Sequence, residues 1–382
     1  MMITAPRSKT IMKRSNYKTM IIRDKLKYLC VIIGLALMIS ARVNAQQINE
    51  TLSTSYLYPA TRTVSVQINN KYGHVKVNTW AKDSVKVEIT QTYTHTSIEN
   101  INKLKSSINI LRYNVSGTIR FETSFEQSGG RFFRNVREAT NMFGSESNTR
   151  IDYSITLPTS SNINIINKYG DVILPTLSGR VTVDLSNGNF QAQRLSGHSE
   201  LSLAFGNALI NELNNGVLSL NFVELSLNKA NSLTVNGSSS KIDIKSITDL
   251  VLNSRRDRVI IEKAGKIAGT TYFTNANFGE LANRCELDMT YGELSGLKLL
   301  DSTTECIIVA RTCNLNIEMM QPSAYSLLLK KSGASLKFPE SLTPAPVRAG
   351  EEGLSRYYFK SNIAESKLKI NIQNGNFKII HQ

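Results

Sequence analysis

The chain has 382 residues, of which 41% are hydrophobic, enough for a large core in one elongated domain or two globular ones. Its formal charge of +15 is front-loaded: residues 1–45 hold nine Lys and Arg against one acid, and the remainder holds 36 basic and 29 acidic residues. A mild excess spread over many segments excludes a nucleic-acid partner, which would need that charge on one face or helix.

Residues 1–45 read as an export signal. Lys25 and Lys27 supply a positive start, Leu29 to Ile39 an apolar run, and Val43-Asn44-Ala45 a small-residue cleavage site before Gln46. The run is too short for a comfortable membrane span. Membrane attachment would require that the signal stay uncleaved. Met20 offers a second start, which makes residues 1–19 a gene-start artefact. Cys30 lies in the run, but Lys27-Tyr28-Leu29 lacks the small residue of a lipoprotein signal, so no lipid anchor is expected.

Residues 46–165 form an N-terminal segment. Val64 to Ile68, Val75 to Val77 and Val85 to Ile89 alternate apolar and polar residues, as strands do. Between the first two stands Asn70-Lys71-Tyr72-Gly73. Ile98, Ile101, Leu104, Ile108 and Leu111 then fall on one helical face, with Thr96 or Ser97 as cap. This predicts an amphipathic helix that lids an open end. Val115 to Phe125 returns to alternation. Gln127 to Arg150 has no period and is expected to be a surface loop. A sharper reading makes Arg131, Phe132, Phe133, Arg134 and Arg137 a contact site for a polyanion such as an envelope glycan or lipid head group.

Residues 166–310 carry a repeat. Lys168-Tyr169-Gly170-Asp171-Val172 opens it, and anchors at Gly170, Gly188, Gly206, Val223, Ser240 and Asp257 recur every 17–18 residues. Each unit holds two alternating runs and a single apolar residue at the corner between them. Gly at the anchor is expected to supply left-handed backbone. Two inward columns follow. One runs Val172, Phe190, Ala208, Leu225, Ile242, Val259; the other runs Leu177, Leu195, Leu213, Ala230, Ile247, Ala264. One unit cannot bury its own apolar face, but stacked units can. The fold expected is all-β, a parallel β-solenoid, with the helix and first strands as cap. Beyond Asp257 the spacing loosens, since Gly279 and Gly292 lie 22 and 13 residues after their predecessors. Residues 311–382 supply strands that cap the stack.

Chemistry is sparse. His74, His95, His198 and His381 are scattered, so no metal site is expected. Cys285, Cys306 and Cys313 are odd in number, with Cys306 turned inward as a small apolar residue or bridged to Cys313. The outward acids are Asp171, Asp184, Glu224, Asp243, Glu262, Glu280 and Glu293. Asp171, Glu224, Glu280 and Glu293 form one edge, interrupted by Asn189, Asn207, Lys241 and Arg258. A polysaccharide-cleaving enzyme would gather acid–base groups on such a face; a mixed ladder only solubilises it. No catalytic residues and no cofactor are expected.

Asn167 to Val172, Leu177 to Phe190 and Ser238 to Ile244 resemble the β-strand-repeat proteins of bacterial envelopes that are labelled adhesins or head GIN-type domains. The resemblance covers roughly 60–310. It implies a secreted or periplasmic solenoid without agreed catalytic residues. The function expected is a non-enzymatic envelope or surface protein that offers a binding face to an envelope protein or glycan. The alternatives are a polysaccharide-active enzyme and a periplasmic structural or sensory module.

Overall fold

A computed structural model describes residues 47–60, 64–125, 148–319, 325–339, 347–348, 354–359 and 366–381. The export signal, and Arg131, Phe132, Phe133, Arg134 and Arg137, lie outside these residues.

The chain opens with strands β1 (Ile48–Pro59), β2 (Ser65–Lys71), β3 (Val75–Trp80) and β4 (Ser84–His95). Helix α1 (Ile98–Ser106) follows, then β5 (Ile108–Val115), β6 (Thr118–Phe125) and β7 (Asn148–Pro158). The repeat comprises β8 (Asn162–Lys168), β9 (Val172–Leu177), β10 (Val181–Ser186), β11 (Phe190–Ser238), β12 (Lys241–Arg255) and β13 (Arg258–Leu299). β14 (Glu305–Met319), β15 (Tyr325–Lys337), β16 (Val347–Arg348), β17 (Leu354–Phe359) and β18 (Ser366–His381) complete it. β11 and β13 each turn several corners within one continuous strand, with a register shift in β13 between Leu294 and Leu297.

The protein is all-β, in one open sheet of mixed sense. Pairing through the repeat is parallel and in register: Val181 opposite Ser199, Leu225 opposite Ile242, Ile242 opposite Val259. Antiparallel pairs join β4 to β7, β5 to β6, β15 to β17 and β16 to β17. A parallel arrangement throughout is therefore not what forms. The antiparallel pairs fall at the two ends, where a strand has no further unit to continue the stack.

Both inward columns are buried from Val172 to Val259 and from Leu177 to Ala264, none more than 6% exposed. Alternation explains this: one face of each strand points inward, and a neighbouring unit covers it.

Some sequence readings need correction. The helix ends at Ser106, capped by Ser107, and Ile108 and Leu111 belong to β5. Only Ile101 and Leu104 bury on α1. The run Ile108–Val115 is rich in β-branched and aromatic residues, and β6 offers it a partner, so tertiary pairing overrides the helical spacing. The repeat does not loosen directly after Asp257 but only beyond Gly292, which lies opposite Cys313, with a register shift between Leu294 and Leu297. The register of β12 on β13 keeps the 17-residue step, because Arg255 lies opposite Tyr272 and Asn275 N donates to Asp257 O. The next anchors are thus Thr274 and Gly292. A Cβ on Gly292 would lie 2.1 Å from Thr274 O, whereas one on Gly279 would meet Glu262 O, off the anchor column. Of the strands in 311–382, β18 is an interior one. It threads between β14 and β15, parallel to both, and β17 and β16 cover β15.

Anchors also work differently from the expectation. Left-handed backbone belongs to the residue before each anchor: Tyr169 (φ 59°), Asn187 (58°), Phe205 (57°), Phe222 (54°), Ser239 (53°) and Arg256 (58°). Gly170, Gly188 and Gly206 are required for space instead. A Cβ there would stand 2.0, 2.2 and 2.0 Å from a carbonyl oxygen of the preceding unit. From Val223 the column carries buried side chains, Val223, Ser240, Asp257 and Thr274. They bond one another's backbone: Ser240 Oγ accepts from Val223 N (3.1 Å), and Asp257 Oδ1 accepts from Ser240 N (2.7 Å).

Cys285, Cys306 and Cys313 are free and buried. Cys306 lies in register with Cys285 on the adjacent strand, while Cys313 Sγ donates to Arg311 O at 3.3 Å. A Cys306–Cys313 bridge does not form.

Candidate functional site: an aromatic corner

The left-handed corner residues stack from unit to unit. The column reads Tyr72, Tyr169, Asn187, Phe205, Phe222, Ser239, Arg256, Phe273, Tyr291, Thr312 and Asn374. Backbone bonds tie neighbours: Tyr72 N to Lys168 O, Tyr169 N to Ser186 O, Asn187 N to Ala204 O, Ser239 N to Arg255 O and Arg256 N to Tyr272 O. Every corner therefore projects its side chain along one line.

Six of these residues are aromatic. Tyr72 stacks on Tyr169 (centroids 5.4 Å, 11°), Phe205 on Phe222 (5.3 Å, 9°) and Phe273 on Tyr291 (4.7 Å, 15°). Tyr272 meets the last pair edge-on. Lys71 Nζ lies 4.6 Å from the Tyr72 centroid. Phe125, the last described residue before 126, packs edge-on against Tyr72 at 5.7 Å.

Energetics make this column unusual. Left-handed backbone with a side chain costs about 1–2 kcal/mol per residue. A stacked aromatic pair contributes about 0.5–1.5 kcal/mol beyond its burial. Each pair thus recovers only part of the strain of its two residues. Tyr169, Phe205, Phe222 and Phe273 also remain 50–54% exposed. Asn tolerates this backbone best among residues with side chains, and it occupies the same column at Asn187 and Asn374. Exposed rings at strained corners are therefore poor choices for stability alone, and such outliers point to function.

Next to the corner runs the acid and amide edge expected from the sequence. Asp171, Glu224 and Glu293 do follow their anchors in one column, with His74, Asn189, Asn207, Lys241, Arg258 and Asn275. Glu280 follows Gly279, lies off this column, and pairs with Lys263 at 2.9 Å. Amides and carboxylates of the edge accept backbone N–H groups one unit on: Asp171 Oδ1 from Asn189 N (2.8 Å) and Asn189 Oδ1 from Asn207 N (3.1 Å). His74 Nδ1 accepts from Asp171 N at 3.0 Å, so this His is not solitary, a contact hidden by their separation in sequence. These bonds tie the acids into the stack and assemble no acid–base pair across a groove.

The spacing marks Asp257 as an anchor but does not disclose its chemistry. It is buried at an anchor, and its carboxylate accepts from Ser240 N, Ser254 Oγ and Arg255 N. Burial pushes its carboxyl above the usual aspartate range, and the three donors oppose that shift. The aromatic corner was missed too, although every ring was visible beside its anchor; the missing signal was which residue takes the left-handed backbone.

No protein-family model and no curated protein matches the chain. Among solved structures, it is similar to a "putative adhesin" of Parabacteroides merdae at 10% identity, covering 70% of this chain and 95% of that one, with a TM-score of 0.31. It is similar to a "putative adhesin" of Bacteroides fragilis at 10% identity, covering 86% and 97%, TM-score 0.23. A "putative cell adhesion protein" of Clostridium sporogenes aligns at 11% identity over 87% and 100%, TM-score 0.17. These scores do not establish a shared architecture.

Proposed function

We propose that the chain is an exported, non-enzymatic protein of the cell envelope or surface, built as a β-solenoid that presents the aromatic corner as a binding face. Its partner is a glycan or protein of the envelope. The observation that carries this reading is the column of half-exposed rings held in left-handed backbone by parallel in-register units. Rigid, large, amphipathic rings lose little entropy on contact and anchor interfaces. The resemblance to envelope β-strand-repeat proteins, and the export signal read at 25–45, agree with the location.

Beads coated with the purified chain test it on isolated envelope fragments. Wild type should retain fragments. A variant with Phe205, Phe222, Phe273 and Tyr291 all changed to Asn should lose retention while keeping its melting temperature. Retention unchanged in that variant would remove the corner as the binding face.

A further inference from the structure

The corner has a break with its own chemistry. Between Phe222 and Phe273 the column holds Ser239 and Arg256. Neighbouring strands lie about 4.8 Å apart, so the two rings are about 14 Å apart. Phe222 stacks on Phe205, and Phe273 on Tyr291. Their remaining faces therefore look along the column toward Ser239 and Arg256.

Charge is concentrated at the same place. Several cations of the repeat are held by carboxylates one unit away, Lys241 by Glu224, Lys266 by Asp249, Arg284 by Glu305 and Arg311 by Asp288, whereas the single lysines Lys168, Lys229 and Lys245 have no ion pair among the described residues. Among the described residues, no carboxylate pairs with the side chains of Arg255, Arg256 or Arg258, and all three are exposed. The acid between them, Asp257, is turned inward and occupied by Ser240, Ser254 and the Arg255 backbone. Arg255 lies over the Tyr272 ring at 5.9 Å. Arg258 lines a shallow groove of ≈ 290 Å³ beside the corner, with Asn275, Asn277, Ser295 and one acid, Glu293.

We infer that Phe222, Arg256 and Phe273, with Arg255 and Arg258, form a subsite for an anionic polysaccharide, a chain of pyranose rings bearing carboxylates. The apolar C–H face of a pyranose fits an aromatic face. A guanidinium fork binds a carboxylate through two parallel hydrogen bonds. The groove amides meet hydroxyls. A straight column repeating every unit suits a linear polymer better than a single head group. Three arginines beside Glu293 are too few for a nucleic acid, whose affinity rests on many phosphate contacts. This inference deepens the reading of the corner as a binding face and rests on it.

Titration calorimetry with alginate, a linear polyuronate, is the test, with dextran as neutral glycan and polyglutamate as non-sugar polyanion. Wild type should bind alginate, weakening as salt rises, and bind each control at least about tenfold more weakly, the worth of one lost charge-assisted bond. Arg256→Asn should weaken alginate about tenfold or more by the same bond. The double variant Phe222→Asn, Phe273→Asn should weaken it several-fold while melting like wild type, because Asn187 already occupies an equivalent corner. Lys263→Ser, away from the break, should bind as wild type. Equal affinity for polyglutamate would reduce the site to bare charge and overturn the inference, as would full affinity in the double variant or no binding to alginate. If alginate fails while coated beads still retain envelope fragments through the corner, only the polysaccharide assignment falls. If both fail, the binding face itself is withdrawn.

Discussion

Asn70 donates through Nδ2 to Asn167 Oδ1 at 3.2 Å, although 97 residues separate them. Asn167 Nδ2 in turn donates to Gly73 O (3.0 Å) and Gly170 O (2.8 Å), and Asn70 Nδ2 to Ile151 O (3.0 Å). Both amides are buried. The repeated phrase Asn-Lys-Tyr-Gly is thus a device with parts: Asn turned inward to satisfy corner carbonyls, Tyr at the left-handed position, and Gly where a Cβ would strike a carbonyl of the neighbouring strand, Ile151 O for Gly73 and Gly73 O for Gly170. Asn167→Ala removes the donor to two carbonyls and one of the acceptors of Asn70, which keeps Ile151 O. Each buried group left unsatisfied costs about 1–3 kcal/mol. Urea unfolding should show a loss of about 2 kcal/mol or more. Lys168→Ala, one residue on and exposed, should stay within about 0.5 kcal/mol.

The same pair shows what the sequence could and could not disclose. That Tyr72-Gly73 and Tyr169-Gly170 belong to one repeat was readable from the phrase. That they occupy adjacent units was not, because β4 to β7 intervene and β7 returns to pair with β3. Inward columns such as Leu225, Ile242 and Val259 were legible because alternation has a fixed period of two. The anchors Thr274 and Cys313 were not, because no glycine marks them. Phe278-Gly279-Glu280 imitates the phrase better than Phe273-Thr274-Asn275 does, yet register follows the inward columns and not the glycine. The binding face was hidden for a related reason. Alternation says in or out, but it is silent on which corner residue turns left-handed.

Gly188 and Phe222 should respond in opposite ways to substitution. Gly188→Ala places a methyl 2.2 Å from Gly170 O, a backbone atom that cannot move alone. Overpacking of this kind costs about 1–3 kcal/mol, and a lower urea midpoint should report it. Phe222→Asn instead relieves strain at φ 54° and removes an exposed ring, at the expense of one stacked partner. These terms are each about 1 kcal/mol and of opposite sign, so stability should change little. A large loss in Phe222→Asn would show that the ladder is structural.

Asp257 should make stability fall as pH rises through the region just above the ordinary aspartate range. Burial raises its folded-state carboxyl above the unfolded value. Between those two values the folded chain holds a proton that the unfolded chain has released, so raising pH favours unfolding there. Below both values, and above both, this group contributes no slope. Asp257→Asn cannot titrate and lacks that slope, which should therefore appear in the difference between the two proteins' pH–stability curves. It should also be less stable at low pH, because an amide NH₂ would face one of the donors Ser254 Oγ, Ser240 N or Arg255 N. A difference curve that is flat across the acid range would show that Asp257 titrates as an exposed acid.

Ile242 and Asp243 test the stack itself. Ile242 is fully buried and lies in register between Leu225 and Val259, while Asp243 points outward between Ser226 and Ile260. Ile242→Asp puts an unpaired carboxylate among apolar side chains of three units, a loss of about 3 kcal/mol or more. Asp243→Ser changes an outward residue without an ion pair among the described residues, and should stay within about 0.5 kcal/mol. Units that touch only their neighbours confine damage. Hydrogen exchange in Ile242→Asp should therefore quicken first in 223–261 and leave β8 to β10 protected. Equal destabilisation by the two substitutions would mean that this strand does not face a core, and the in-register stack that carries the aromatic corner would have to be given up.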